Sequence, residues 1–322
     1  MGKEACPFET RWGCVWDGRG RVPARYRSSL APSPTRPTPL ADAPPITPAL
    51  WPVLVAYGAA FLLALVASAA FVLVVAYPRS GGDPRVLADE ATRFALSTPG
   101  VLGSAVVSAV VLVAVALVTA RAGGPGVVAS LRLGPTRARP LGLVAAVVGM
   151  AGLSVACGAT AQLLHVGQGG VMDVVAHALA TPTRSQLVLA LLAVGVAPGV
   201  AEETFFRGLV QTRVRARWGT RPAIVTSAAA FGVFHLDPVQ GALAFVAGLF
   251  LGWVVERFGG LRPSIAAHAI NNAMFVLLAA YGASDDTPST TASLITLALG
   301  LAACGAAVLV IRSRLALRAA TA

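Results

Sequence analysis

Two adjacent carboxylates stand in a mostly apolar stretch of the chain. Glu202 and Glu203 are followed by Arg207, four residues after Glu203. Residues four apart share a helix face, so Glu203 and Arg207 can pair, whereas Glu202 lies about 100° around the helix and faces another neighbour. A carboxylate in apolar surroundings is suited to general acid or base catalysis. For this motif alone, a structural ion pair is an equally good interpretation.

Two histidine motifs lie further along the chain. His235 ends the sequence Phe231-x-x-x-His235, and His268 is followed four residues later by Asn272. That spacing puts His268 and Asn272 on one helix face. Each motif alone is also explained by a structural histidine or an interhelical hydrogen bond. Two of the four histidines lie in apolar segments near the double glutamate, however, so the set predicts one polar pocket built from three helices.

Two hydrolytic mechanisms could use this pocket, and the sequence leaves both open. In the first, Glu202, His235 and His268 ligate a divalent metal, for which Zn²⁺ is the best candidate, and the second glutamate takes a proton from its bound water. In the second, Glu202 and His235 activate water directly, while His268 and Asn272 hydrogen-bond the oxyanion. The HExxH signature of many zinc proteases is absent from the sequence.

The composition places these motifs in membrane-spanning helices. Hydrophobic residues make up 56% of the chain and charged residues 12%, about half of the ~25% usual in soluble domains. The apolar residues form long runs, as membrane spans require. We predict an all-α polytopic membrane bundle of about eight transmembrane helices. The predicted spans are residues 51–77, 101–120, 141–164, 187–213, 222–235, 239–255, 264–281 and 292–311.

The loops between the spans predict the orientation of the chain. Arginines cluster after the second, fourth, sixth and eighth spans, and most alternate loops carry few. The positive-inside rule therefore places both termini in the cytoplasm of a multi-pass cell-membrane protein. These loops also account for the net charge of +11. Since no basic stripe with interleaved aromatic residues occurs, we expect contact with the lipid bilayer and no nucleic acid partner.

Composition also divides the chain into segments. Residues 1–49 hold nine of the 22 prolines, so we predict a disordered, Pro/Arg-rich cytoplasmic tail. Residues 50–184 are predicted to form N-terminal transmembrane helices, and residues 185–280 the catalytic core. Residues 281–322 should form the last transmembrane helix and a short basic tail.

Within the predicted core, proline and glycine set the helix geometry. Pro198 should kink the helix one turn before the glutamates and loosen backbone groups beside them, because proline has no backbone N–H. Two glycine pairs have the small-xxx-small spacing that lets helices approach closely. They are Gly195 with Gly199 and Gly248 with Gly252.

The motifs resemble those of the CAAX-protease and bacteriocin-processing (CPBP, or Abi) family of intramembrane metalloproteases in order, residue type and spacing. They read Glu202-Glu203-x-x-x-Arg207, Phe231-x-x-x-His235 and His268-x-x-x-Asn272. The resemblance covers about residues 185–280 and implies an eight-helix endopeptidase acting on a membrane-associated peptide or protein substrate. The roles that it implies are Glu202 as base, His235 and His268 as metal ligands or catalytic partners, Asn272 as oxyanion donor, and Glu203 with Arg207 as supports.

Other function classes remain open on the sequence alone. A non-catalytic membrane immunity or scaffold protein could keep the same pocket for binding. A proton-coupled carrier could also use intramembrane Glu and His residues.

One feature of the predicted spans conflicts with a single pocket. With both termini inside, Glu202, His268 and Asn272 fall in the cytoplasmic half of the bilayer. Counting ~1.5 Å per residue from Pro222 puts His235 about 20 Å deep, further from that side. We therefore expect the fifth span to start later than residue 222, to tilt, or to follow a re-entrant path.

Overall fold

The structure, a computed structural model, describes residues 49–123, 126–282 and 288–317. The predicted disordered tail lies outside the described residues except for residue 49, as do residues 318–322 of the predicted basic tail. The described helices belong to one compact unit, Thr47–Ala322. In chain order they are α1 (Trp51–Ala76), α2 (Pro84–Ala95), α3 (Thr98–Ala122), α4 (Val127–Ser130), α5 (Pro140–Leu163), α6 (Val171–Leu179), α7 (Arg184–Trp218), α8 (Thr220–Phe234), α9 (Pro238–Phe258), α10 (Arg262–Tyr281) and α11 (Thr290–Arg312).

Seven of the described helices are long and apolar enough to cross a membrane, namely α1, α3, α5, α7, α9, α10 and α11. They correspond to seven of the eight predicted spans. The remaining predicted span, residues 222–235, corresponds to α8, which has 15 residues. This helix is about 22 Å long, which is short for a ~30 Å hydrocarbon core. The chain is a multi-pass membrane protein, and the predicted all-α polytopic bundle is confirmed.

Helix α7 carries the two glutamates and is irregular on both sides of Pro198. Its segments Leu191–Val196 and Glu203–Gln211 are π-helical, with an α-helical turn between them. Proline removes one backbone donor, and wider π turns let a helix continue past such an interruption. At Pro198, where the sequence predicts a kink, the helix continues with π turns on both sides, and the second of them begins at Glu203.

The first predicted glycine pair brings α7 against α10. A Cβ added to Gly199 would lie 2.8 Å from the backbone nitrogen of Ala269, and one added to Gly195 would lie 3.3 Å from Cα of Ala273. Larger side chains would therefore push the two helices apart. Because Ala269 follows His268 directly, this close approach also brings His268 to the glutamates.

The second glycine pair brings α9 against α8. A Cβ on Gly248 would lie 2.9 Å from Cβ of Ala228, and one on Gly252 would lie 3.2 Å from Cγ2 of Ile224. Both glycine pairs therefore mark helix contacts, as their spacing predicts.

A tight turn at Gly219 makes α8 and the last part of α7 a hairpin. Gly219 has φ of 83°, a conformation that glycine adopts without strain. Glu202 lies 17 residues before it and His235 lies 16 residues after it. Arg207 and Phe231, each 12 residues from Gly219, contact each other across the hairpin.

Because α7 and α8 pair in this way, the expected difference in depth between Glu202 and His235 is absent. Helix α7 continues to Trp218 instead of ending near residue 213, and α8 starts at Thr220 instead of later than residue 222. Glu202 and His235 therefore lie at the same level, about 24 Å along the helices from the turn. The expectation that the fifth span starts late was wrong, because the arginines after residue 212 belong to a helix and not to a loop.

Candidate active site

The centre of the site is an ion pair with no solvent exposure. Arg207 Nη1 lies 2.9 Å from Glu203 Oε1, and both side chains are 0% exposed. This confirms the pairing predicted from their spacing. The charges attract at this distance although no Nη1 hydrogen is directed at the oxygen. The guanidinium also lies over the Phe231 ring, with Cζ 4.5 Å from the centroid, as in a cation–π contact.

His268 lies between the two glutamates. Its Nδ1 is 3.1 Å from Glu203 Oε1, and its Nε2 is 3.6 Å from Glu202 Oε2. A carboxylate only accepts hydrogen bonds, so Nδ1 must carry the proton that it shares with Glu203. In the neutral ring, Nε2 then presents a lone pair toward Glu202. The predicted contacts of the two glutamates are confirmed: Glu203 pairs with Arg207, and Glu202 faces a different neighbour, His268.

His235 lies at the C-terminal end of α8 and has a different partner. Its Nδ1 is 2.9 Å from the backbone oxygen of Phe231. The carbonyl accepts, so Nδ1 again carries the proton. Nε2 makes no hydrogen bond to any described residue. The Phe231 ring contacts both histidine rings, with centroids 4.9 Å from His235 and 5.8 Å from His268, so it connects the two.

The predicted oxyanion donor makes no such contact. Asn272 lies one turn after His268 on α10 and has no hydrogen bond within the described part of the chain. Its neighbour Asn271 has a buried Oδ1 that is likewise without a partner there. The structure therefore brings together Glu202, Glu203, Arg207 and His268, connects His235 through Phe231, and leaves the role of Asn272 a prediction.

The predicted metal ligands are only partly brought together. Glu202 and His268 face each other, but His235 has no ion pair or hydrogen bond with either of them. Across the described ranges no three His, Cys, Asp or Glu side chains are grouped closely enough to hold a metal ion. The donor set as placed does not fit a three-ligand Zn²⁺ site, so the divalent metal stays a prediction from the sequence.

A second polar cluster, not predicted from the sequence, lies on α7 and α9. Glu256 Oε1 is 2.9 Å from Gln211 Nε2 and 2.5 Å from Arg132 Nη1, and its Oε2 is 2.9 Å from Arg215 Nε. Gln211 is four residues after Arg207, as Arg207 is after Glu203. That repeated spacing is the signal in the sequence that could have identified Gln211.

The turn between α8 and α9 holds the end of α8. Asp237 caps α9 by accepting the Gln240 backbone N–H at 2.8 Å, and it also accepts at 3.4 Å the N–H of Val171, the first residue of α6. The Gln240 N–H, with smaller contributions from Val171, Val239 and His235, holds the pKa of Asp237 below its ordinary 3.8 despite partial desolvation. The chain reverses direction at residues 236–238, between the fifth and sixth predicted spans, and Leu236 adopts a positive φ of 59° there.

Comparison with known proteins agrees with this geometry. Residues 184–274 match the family model described as Type II CAAX prenyl endopeptidase Rce1-like. The matched segment runs from the start of α7 into α10 and contains every predicted site residue. No curated protein and no solved structure matches the chain. The resemblance of the motifs to the CPBP family is thereby confirmed, and the family points to a protease.

Proposed function

Since residues 184–274 match the Rce1-like CAAX endopeptidase model, we propose that the chain is an endopeptidase that cleaves a peptide or protein substrate at or within the membrane. The observation that carries the proposal is the Glu202–His268 pair. A carboxylate oxygen and a ring nitrogen face each other across 3.6 Å on two adjacent helices. Both groups can accept a hydrogen bond, and both are largely buried.

The gap between these atoms suits a reacting water. A distance of 3.6 Å exceeds a direct hydrogen bond, and polar atoms at such separations are commonly bridged by water. A water that donates one hydrogen to Glu202 Oε2 and the other to His268 Nε2 keeps a lone pair for the scissile carbonyl carbon. As its oxygen bonds to that carbon, Glu202 takes the proton, and it returns the proton to the leaving nitrogen when the C–N bond breaks.

The surrounding residues position this pair. Glu203 holds the proton on His268 Nδ1, and Arg207 balances the charge of Glu203. His235 supplies a second ring nitrogen beside Phe231, and Asn272 supplies an amide N–H for the oxyanion. Because the described residues form no fitting ligand set for the divalent metal predicted from the sequence, no step of this proposal depends on a metal.

An open, mostly apolar groove is formed by residues close to His235 in the chain. It lies at the turn between α8 and α9 and has a volume of about 450 Å³. Leu236 and Asp237, the residues directly after His235, line it together with Gly232, Gly241 and Phe245. Its lining favours an apolar substrate group at membrane depth, which supports a membrane-associated substrate.

The test compares membrane and secreted peptides from cells that carry the wild type, Glu202→Gln or Glu90→Gln. Glu202→Gln keeps the shape of the side chain and removes the base. Glu90→Gln makes the same chemical change on α2, outside the site. We expect mature peptides or new termini to disappear with Glu202→Gln alone, at unchanged protein level. Identical peptide sets in all three strains would overturn the proposal in favour of a binding or immunity role.

A further inference from the structure

An open groove lies at the arginine-rich end of the bundle, outside the candidate active site. It has a volume of about 580 Å³ and is lined by residues 126–129 around α4, by Arg132 and Gly134 of the following loop, and by Gly259. We call it the arginine groove. No step of the proposed hydrolysis uses any of these residues.

The arginine groove lies at the level where membrane spans end. Gly259 directly follows α9, and α10 begins three residues later. Helix α4 and the loop of residues 131–139 lead directly into α5. Three spans therefore begin or end beside the groove, and the ends of spans lie near the lipid headgroups.

Backbone hydrogen bonds fix the shape of the groove. The Leu261 N–H donates to the Arg132 carbonyl at 3.2 Å, and the Arg137 N–H donates to the Phe258 carbonyl at 2.9 Å. The loop before α5 is thus attached to the turn between α9 and α10. A Cβ added to Gly134 would meet nothing within 4 Å, so the space beside this residue is open.

The charge around the groove is positive. Among the described acidic residues only Glu256 lies at this end of the bundle, and it already pairs with Arg132 and Arg215. The exposed Arg137 forms no ion pair within the described chain, and its Nε would lie 3.6 Å from a Cβ on Gly259. A guanidinium has several N–H donors, so Arg132 keeps donors beyond the one that bonds Glu256. The two arginines can therefore bind an anion in the groove.

The lining combines these charges with apolar side chains. Val127 is partly buried against an apolar cluster, and Val128 is 60% exposed. A soluble phosphate would use the arginines alone, whereas a phospholipid carries its phosphate and the start of its acyl chains to the same level and matches both parts. Arginine binds phosphate oxygens through paired N–H groups, and basic pockets between transmembrane helices bind anionic headgroups.

We propose that the arginine groove binds one anionic phospholipid, with the phosphate beside Arg132 and Arg137 and the first acyl carbons on Val127 and Val128. The bound lipid joins the loop before α5 to the turn between α9 and α10, and Arg132 connects it to Glu256. This binding is independent of the proposed peptidase activity, because no residue of the candidate active site takes part.

The test is native mass spectrometry of the full chain in detergent, titrated with phosphatidylglycerol or with phosphatidylcholine of the same acyl chains. We expect one phosphatidylglycerol to bind more tightly than phosphatidylcholine. Arg137→Gln should weaken its binding about fivefold, the effect of one arginine beside an anionic lipid. Because Arg137 is exposed, this variant should keep the fold. Arg221→Gln, at an exposed arginine of the same end outside the groove, is the control and should leave the affinity unchanged.

A second variant tests the space without changing the charge. Gly134→Leu places a side chain in the open part of the groove and should weaken phosphatidylglycerol binding at least as much as Arg137→Gln. Gly158→Leu is the matched control, because a Cβ at this position of α5 also meets nothing within 4 Å.

Glycerol 3-phosphate, a phosphate without acyl chains, separates the two sources of the anion. We expect it to leave phosphatidylglycerol bound at equal concentration, and displacement would overturn the proposal in favour of a soluble phosphate. Equal affinity for the two lipids, or unchanged affinity in Arg137→Gln and Gly134→Leu, would also overturn it. The titration needs no peptide substrate, so its outcome and that of the peptidase assay are separate.

Discussion

The two histidines of the site have the same proton arrangement but different supports. Both rings hold the proton on Nδ1, and both leave Nε2 available. Glu203, fully buried and paired with Arg207, fixes His268, whereas a backbone carbonyl of its own helix fixes His235. His268 is 5% exposed, and His235 is only partly buried at the end of α8. His268 therefore belongs to the buried core of the site, and His235 lies at its rim.

Because their supports differ, removal of His268 and removal of His235 should have different effects on stability. Removing His268 affects the charges that surround it, since Glu203 then loses its hydrogen bond in an apolar interior. Removing His235 leaves only a helix-terminal carbonyl to find another partner. We therefore expect the two rings to be equally important for hydrolysis and unequally important for folding.

The largest expected effect is on hydrolysis. His268→Ala and His235→Ala should each lower cleavage by about 10²–10⁴-fold, the range for loss of a catalytic acid or base. Only His268→Ala should also lower the unfolding temperature in detergent. His177→Ala, at an exposed histidine outside the site, is the control and should change neither quantity. Full activity of His235→Ala would contradict the prediction that both histidines are needed for hydrolysis.

The next effect is on stability and concerns the two glutamates. Glu203→Gln leaves the buried Arg207 without its counter-charge, and breaking a buried pair typically costs about 3–5 kcal/mol. Glu202→Gln should cost far less, since that side chain is 16% exposed and its ionisable neighbour, His268 Nε2, is 3.6 Å away. The measurement is the thermal unfolding temperature of each variant in the same detergent. Equal unfolding temperatures would show that Glu203 and Arg207 do not stabilise each other.

A smaller effect separates His268 from Glu202 without changing either residue. Gly199→Ala forces a Cβ to within 2.8 Å of the Ala269 backbone, and such overpacking typically costs about 1–3 kcal/mol. Helix α10 should move away from α7, so cleavage falls while the contact of His235 with Phe231 persists. Gly158→Ala, where nothing lies within 4 Å, is the control. If both variants cleaved normally, the α7–α10 spacing would not control the site.

The smallest effect is a pH dependence at the rim. Because the pKa of Asp237 is lowered on folding, its carboxylate stabilises the folded protein above pH 3.8, and this contribution is lost as the pH falls through the folded-state pKa. Asp237→Asn keeps a capping side chain and should remove this part of the acid sensitivity. Unfolding temperatures of both proteins through the acid range make the measurement. Parallel curves would show that the carboxylate is not a stabilising cap.

The sequence predicted the helices better than their ends. Long apolar runs specify spans because lipid leaves the backbone no partner outside a helix. The end of α7 was placed five residues too early, since Arg213, Arg215 and Arg217 suggested a loop when they lie on a helix. The short helices α2 and α6 were missed, because neither has an apolar run of membrane length.

The site was predictable where its contacts are local. The Glu203–Arg207 pair follows from a spacing of four on one helix. The contact of Glu203 with His268 joins residues 65 positions apart, and it depends on which helix faces pack. The small residues at Gly199 and Ala269 decide that packing. Their spacing marks a contact face without naming the partner helix, so the sequence could not assign His268 to a particular glutamate.

The separation between Glu203 and its histidine also constrains biogenesis. Helix α7 leaves the ribosome with three charged residues in its middle, and each costs about 2.5–3.5 kcal/mol at the centre of a lone inserting helix. The histidine that completes the cluster is synthesised 65 residues later. We therefore expect α7 to enter the lipid more readily together with α10, which carries His268, than as a lone helix.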